Sequence, residues 1–169
     1  VRTAQRPARA AELAAFGQNW EEAERHGRAA IELAPDDPAV AVIAAVLDYR
    51  DALLAGDDAA RRAALSRSEA LVPDHPDSVI LRNVLIDGRN WQGDYRGALE
   101  QVDAAIELEP DHKPLYFSKL SVLGTTGDEA ASEAHLREMV TRFPDDEAIK
   151  GTLIRFQVAT GDTYKAAAF

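Results

Sequence analysis

Apolar residues recur at helical spacing along most of the chain, and turn-forming residues interrupt them at regular distances. The clearest stretch carries Tyr95, Ala98, Leu99, Val102, Ala105, Ile106 and Leu108 three and four positions apart, one face of a helix. Arg96, Glu100, Gln101, Asp103 and Glu107 fall on the opposite face. Asp94, directly after Gly93, suits the N-cap, and Pro110 lies where a helix cannot easily continue. The same pattern runs through Trp20, Ala23, Gly27, Ala30, Ile31 and Leu33 to Pro35, and through Leu136, Met139, Val140 and Phe143 to Pro144.

These stretches form a repeat. Pro35, Pro73, Pro110 and Pro144 are separated by 38, 37 and 34 residues. From Gly56 to Pro73, Gly93 to Pro110, Gly127 to Pro144 and Gln18 to Pro35 the distance is always 17 residues, enough for one helix. Each interval from a proline to the next glycine holds a further helix, as in Val40 to Leu54, Val79 to Trp91, Leu115 to Leu123 and Ile149 to Val158. Those intervals run to 21, 20, 17 and 17 residues. The excess of four and three is close to a helical turn, which predicts an elongated first helix in two repeats. Helix pairs of fixed period stack because one pair cannot bury its apolar face alone, which predicts an all-α solenoid. Ala23 and Ala98, like Ala30 and Ala105, fall at equivalent places, where a small side chain lets two helices approach closely.

The segment Gly93-Asp94-Tyr95-Arg96-Gly97-Ala98-Leu99-Glu100, continued by Ala105-Ile106-Glu107-Leu108-Glu109-Pro110, resembles the tetratricopeptide repeat family. Trp20-Glu21-Glu22-Ala23 through Ala30-Ile31-Glu32-Leu33-Ala34-Pro35 fits nearly as well, with Gln18 where glycine is usual. The resemblance implies an all-α right-handed superhelix. It gives one domain over 1–169 with repeats near 2–35, 38–73, 76–110, 112–144 and 146–169, the last cut short as in a fragment. Some positions depart from the pattern. Asp58 and Arg61 replace the aromatic and the small residue in the second repeat, which predicts a register slip there. In the fourth, Ser132 and Met139 replace the small residues; the first helices lack the usual leading Trp, and Trp91 in the third repeat sits near the end of a first helix instead.

Composition narrows the function. Hydrophobic residues make up 46% and charged residues 28%, as in a folded water-soluble domain. No apolar run approaches the roughly 18 residues that would span a bilayer. The start, Val1-Arg2-Thr3-Ala4-Gln5-Arg6, carries neither an initiator Met nor a signal sequence, and the compartment is left open. With no cysteine there is no disulfide and no thiolate metal site. A net charge of −10 disfavours nucleic acid and anionic lipid as partners. His26, His75, His112 and His135 show no ligand spacing, so neither metal nor cofactor is expected. His75 and His112 stand in matching Pro-Asp-His turns, which reads as repeat equivalence. Asp36-Asp37, Asp57-Asp58 and Asp145-Asp146 belong at turns or helix starts, where negative charge suits the helix dipole. No phosphate loop or nucleophile elbow is present, so the chain is not expected to be an enzyme.

Charge placement points to an interaction surface. The four second helices carry formal charges of −2, 0, −4 and −2, whereas the five first helices together carry +3. In the family, first helices line a groove and second helices form the back. The resemblance therefore implies an acidic back and a neutral to basic groove suited to an acidic peptide or protein partner. Groove candidates are Arg82, Asn83, Asp87 and Asn90 on one first helix, Tyr116, Phe117 and Lys119 on the next, and Lys150 and Arg155 on the last. At least one of Tyr116 and Phe117 is expected in the core. The leading expectation is a non-catalytic scaffold that binds a partner in this groove. The alternative is a docking or regulatory segment of a larger enzyme or transcription regulator. Self-association through Tyr164 to Phe169 is a further expectation.

Overall fold

The computed structural model describes residues 2–161. Among them it holds nine helices and no strand: α1 (Arg2–Phe16), α2 (Trp20–Leu33), α3 (Pro38–Ala55), α4 (Asp58–Leu71), α5 (Val79–Gln92), α6 (Tyr95–Leu108), α7 (Lys113–Thr126), α8 (Glu129–Arg142) and α9 (Glu147–Ala159). Consecutive helices pair as hairpins, so the all-α helical repeat is present as expected. The segment Tyr164 to Phe169, expected to self-associate, lies outside the described residues.

The turn inside each hairpin is built the same way. A residue in the left-handed region closes the first helix: Gln18 at φ 60°, Gly56 at 66°, Gly93 at 80° and Gly127 at 72°. The next residue caps the second helix. Asn19, Asp57, Asp94 and Asp128 accept a hydrogen bond from the backbone N–H three residues on, at 3.4, 2.9, 3.0 and 2.9 Å. Glycine takes the positive φ freely, whereas Gln18 holds it at a cost of about 1 kcal/mol.

This geometry removes the expected register slip in the second repeat. Gly56 and Asp57 open α4 as Gly93 and Asp94 open α6, and all four second helices are 14 residues long. The expected elongation is half right. α3 extends to 18 residues, but α5 has only 14, because the three extra residues of its repeat lie in the connection before it. The Pro-Asp-His turns are therefore not equivalent. His112 is itself the N-cap of α7, whereas Ser78, three residues after His75, caps α5.

Helices α1–α6 form one compact unit and α7–α9 another. In the first, α1 and α2 meet through small residues, with Ala4, Ala8, Ala11 and Ala15 against Ala23, Gly27 and Ala30, all buried. α3 is apolar nearly all round and is buried among α1, α2, α4 and α5. A Cβ on Gly27 would lie 2.6 Å from Leu47 Cδ1, so the missing side chain admits α3. The first helices α1, α3 and α5 touch one another directly, and α1 reaches α5 two hairpins along. In the second unit, Leu115, Val122, Leu136, Met139, Ile149 and Leu153 form the core.

Candidate interaction site

Counting back ten, six and three residues from the closing left-handed glycine gives α5, α7 and α9 an equivalent stripe, whereas the same count on α3 begins at buried Val46. On α5 the stripe is exposed Asp87 between half-buried Asn83 and half-buried Asn90, whose Oδ1 is buried. On α7 it is Phe117, Ser121 and Gly124, and on α9 it is Gly151, Arg155 and Val158. Five of the sequence candidates therefore lie on equivalent stripes, α5 supplying Asn83, Asp87 and Asn90, α7 supplying Phe117 and α9 supplying Arg155.

Arg82 and Tyr116 sit one position earlier in their repeats and face the protein. The Arg82 guanidinium donates to the Pro76 carbonyl at 2.7 Å and to Gln101 Oε1 at 3.0 Å, fastening the long connection before α5. Tyr116 is buried. Its hydroxyl donates to the Pro110 carbonyl at 2.9 Å, and its ring stacks on His135 and meets Phe143 edge-on. His135 Nε2 donates to the Tyr116 carbonyl at 2.9 Å, so this histidine is core.

Asp87 is exposed but held. Its Oδ2 accepts from the Tyr49 hydroxyl at 2.6 Å and from Arg61 Nη2 at 2.7 Å, and Arg61 Nε donates to the same hydroxyl at 2.9 Å. Arg61 lies 4.3 Å above the Trp91 ring with only 11% of its side chain exposed. Burial, followed by the hydrogen bond to Asp87, pushes the Tyr49 phenol well above its ordinary value. The pattern-breaking Arg61 and Trp91 are thus partners. A long cation fills the place of a small residue by reaching across to the aromatic ring.

In the second unit the stripe is apolar and basic. Phe117 is 40% and Val158 55% exposed. Arg155 is exposed and donates to the neutral Thr152 Oγ1 at 2.9 Å, with no carboxylate partner among the described residues. Lys150 instead pairs with Glu147 at 2.8 Å on its own helix, which raises its pKa. Lys119 lies half-buried on α7. Lys113 bonds the α9 cap Asp146, and this contact, reinforced by the Ile149 and Ala148 N–H groups, holds the carboxyl below its ordinary value.

One site escaped the sequence reading. A crevice of about 530 Å³ opens in the first unit between α1, the start of α5 and the end of α6. Leu13, Phe16, Val42, Ile80 and Leu108 line it, and Leu13 is 56% and Leu108 39% exposed. The available signal was Leu13 itself, a large apolar residue outside the Ala4–Ala8–Ala11–Ala15 stripe of its helix. Among the described residues no group of three or more histidines and carboxylates could hold a metal ion. No described helix is long and apolar enough to cross a membrane.

No family model and no curated protein matches this sequence. Solved structures do share its fold. A thermophilic TPR protein of Thermus thermophilus, TTC0263, superposes with a TM-score of 0.61 at 21% identity, over 98% of this chain and 87% of that one. MamA MSR-1 aligns with a TM-score of 0.62 at 15% identity, over 96% and 90%. A MamA point mutant aligns with a TM-score of 0.61 at 14% identity, over 95% and 89%. The chain has the fold of tetratricopeptide repeat proteins, an all-α helical repeat.

Proposed function

We propose that the chain is a non-catalytic scaffold that binds a segment of a partner protein along its first-helix stripes, and that the stripe of α7 and α9 takes an acidic segment. The observation that carries this reading is the exposure of Phe117 on α7 and of Val158 one turn from Arg155 on α9, a guanidinium not committed to any described carboxylate. Exposed apolar side chains beside an available arginine are the usual anchors of an interface. The acidic second helices would repel the same segment from the back and so steer it to this stripe.

The test is fluorescence anisotropy with a labelled peptide carrying one leucine between two pairs of glutamates. Phe117→Ser combined with Arg155→Glu should raise Kd at least tenfold, and affinity for the unsubstituted chain should fall as salt rises. Equal affinity for both proteins would remove this stripe from the binding surface.

A further inference from the structure

The crevice of the first unit has the opposite electrostatic character. Its apolar residues are Leu13 and Leu108, both open to solvent, half-buried Phe16, and Val42 and Ile80, which are buried behind them. Its rim is polar and carries the carboxylates of Glu12, Asp77 and Glu109, with the His75 imidazole and the Ser78 hydroxyl, against the single guanidinium of Arg9. Arg9 is already paired with Glu12 on its own helix at 3.2 Å. Asp77, on the connection before α5, and Glu109, just past α6, are exposed. They come from elements other than the helix of the Arg9–Glu12 pair and leave the mouth net negative.

We propose that this crevice docks an apolar side chain flanked by basic residues, presented by a segment of a partner protein. The volume of about 530 Å³ is enough to admit one leucine or phenylalanine side chain. The apolar residues supply desolvation, and Asp77 and Glu109 select the cation beside the anchor. The site shares with the preceding reading the premise that first helices dock partners, but it uses other residues and a ligand of opposite charge. The scaffold then takes two chemically distinct segments and can hold two partners, or two parts of one.

The experiment uses three labelled peptides, with a leucine between two pairs of lysines, a glycine between the same lysines, and a leucine between two pairs of glutamates. The leucine–lysine peptide should bind at least tenfold more tightly than the glycine–lysine peptide. Leu13→Gln, at an exposed site that leaves the fold intact, should abolish that preference. Asp77→Lys with Glu109→Lys should weaken the leucine–lysine peptide at least tenfold. Glu21→Lys with Glu107→Lys, the same change of net charge placed on exposed second-helix positions, should leave binding within about twofold. Equal loss in that control would assign the binding to overall charge and overturn the proposal, as would indifference to leucine. The glutamate peptide with the Phe117→Ser/Arg155→Glu protein reports separately on the α7–α9 stripe, so either site can fail alone.

Discussion

The Arg61 guanidinium lies 4.3 Å from the centre of the Trp91 ring while its Nη2 bonds Asp87 at 2.7 Å, so one side chain on α4 ties together two turns of α5. A largely buried cation over an aromatic face, with charged hydrogen bonds, contributes roughly 1–3 kcal/mol. Arg61→Ala should lower the unfolding free energy by about that amount in urea titration. A double-mutant cycle of Arg61→Ala and Trp91→Ala should give a coupling of about 1 kcal/mol. Coupling near zero would mean that cation and ring are merely adjacent. Arg61→Lys should not restore stability, since an ammonium cannot bond Asp87 and Tyr49 together while lying flat on the ring.

Tyr49 makes the same cluster sensitive to alkali. The folded protein keeps its phenol protonated beyond the ordinary value of 10.0, whereas the unfolded chain ionises there. Above that pH the unfolded state binds fewer protons than the folded one, so stability falls as pH rises. Ultraviolet difference titration should show a Tyr49 phenol that ionises only as the protein unfolds. Tyr49→Phe should abolish that late-ionising signal and flatten the alkaline loss of stability. A variant that still shows it would place the protected phenol elsewhere.

What the sequence made legible follows from the range of each interaction. The constant distance from glycine to proline reflects local chemistry, a left-handed residue, an adjacent Asp or Asn cap and a closing proline, and it located every second helix to within a residue or two. The length of α5 was misread because three extra residues extend a helix or a loop with equal ease. Residues 73–78, which contain two prolines, chose the loop. Arg61 and Trp91 stood out singly as departures. Only packing across thirty residues shows that they compensate each other. The crevice was invisible for the same reason, since Leu13 and Leu108 are brought together by the approach of α1 to α5. Arg82 looked like a groove residue because charge alone does not reveal that a guanidinium is fastened to a carbonyl six residues back.

Asp146 gives the second unit an acid-sensitive joint. Its carboxylate bonds Lys113 and caps α9 through the Ala148 and Ile149 N–H groups at 3.0 and 3.1 Å. These contacts depress its pKa, Lys113 first, below the ordinary 3.8. The stabilisation is present above that ordinary value and is lost as pH falls below it toward the depressed one. Asp146→Asn keeps an oxygen to cap the helix but removes the charge. It should flatten the acid end of the profile of Tm against pH and leave its shape near neutrality unchanged. An identical acid slope in the variant would assign the sensitivity to other carboxylates.

Two glycines inside first helices should respond to alanine with opposite signs. In a helix interior, replacing glycine by alanine is favourable by roughly 0.5–1 kcal/mol when space permits, because the unfolded chain loses more freedom with glycine. At Gly124 on α7 a Cβ would meet no atom within 4 Å, so Gly124→Ala should raise stability by about that amount. At Gly88 on α5 the Cβ would fall 2.5 Å from Leu65 Cδ1 and 2.8 Å from Cδ2, inside any real contact. Leu65 is buried on α4 and cannot swing clear without disturbing the packing of α4 on α5. The overpacking cost of about 1–3 kcal/mol outweighs the helix-propensity gain, so Gly88→Ala should destabilise. Leu65→Val removes a carbon from the point of collision, and the double variant should therefore be more stable than the sum of the two single changes predicts. Strict additivity in urea unfolding would show that α5 shifts bodily away from α4, and that the close approach at Gly88 is not what sets their spacing.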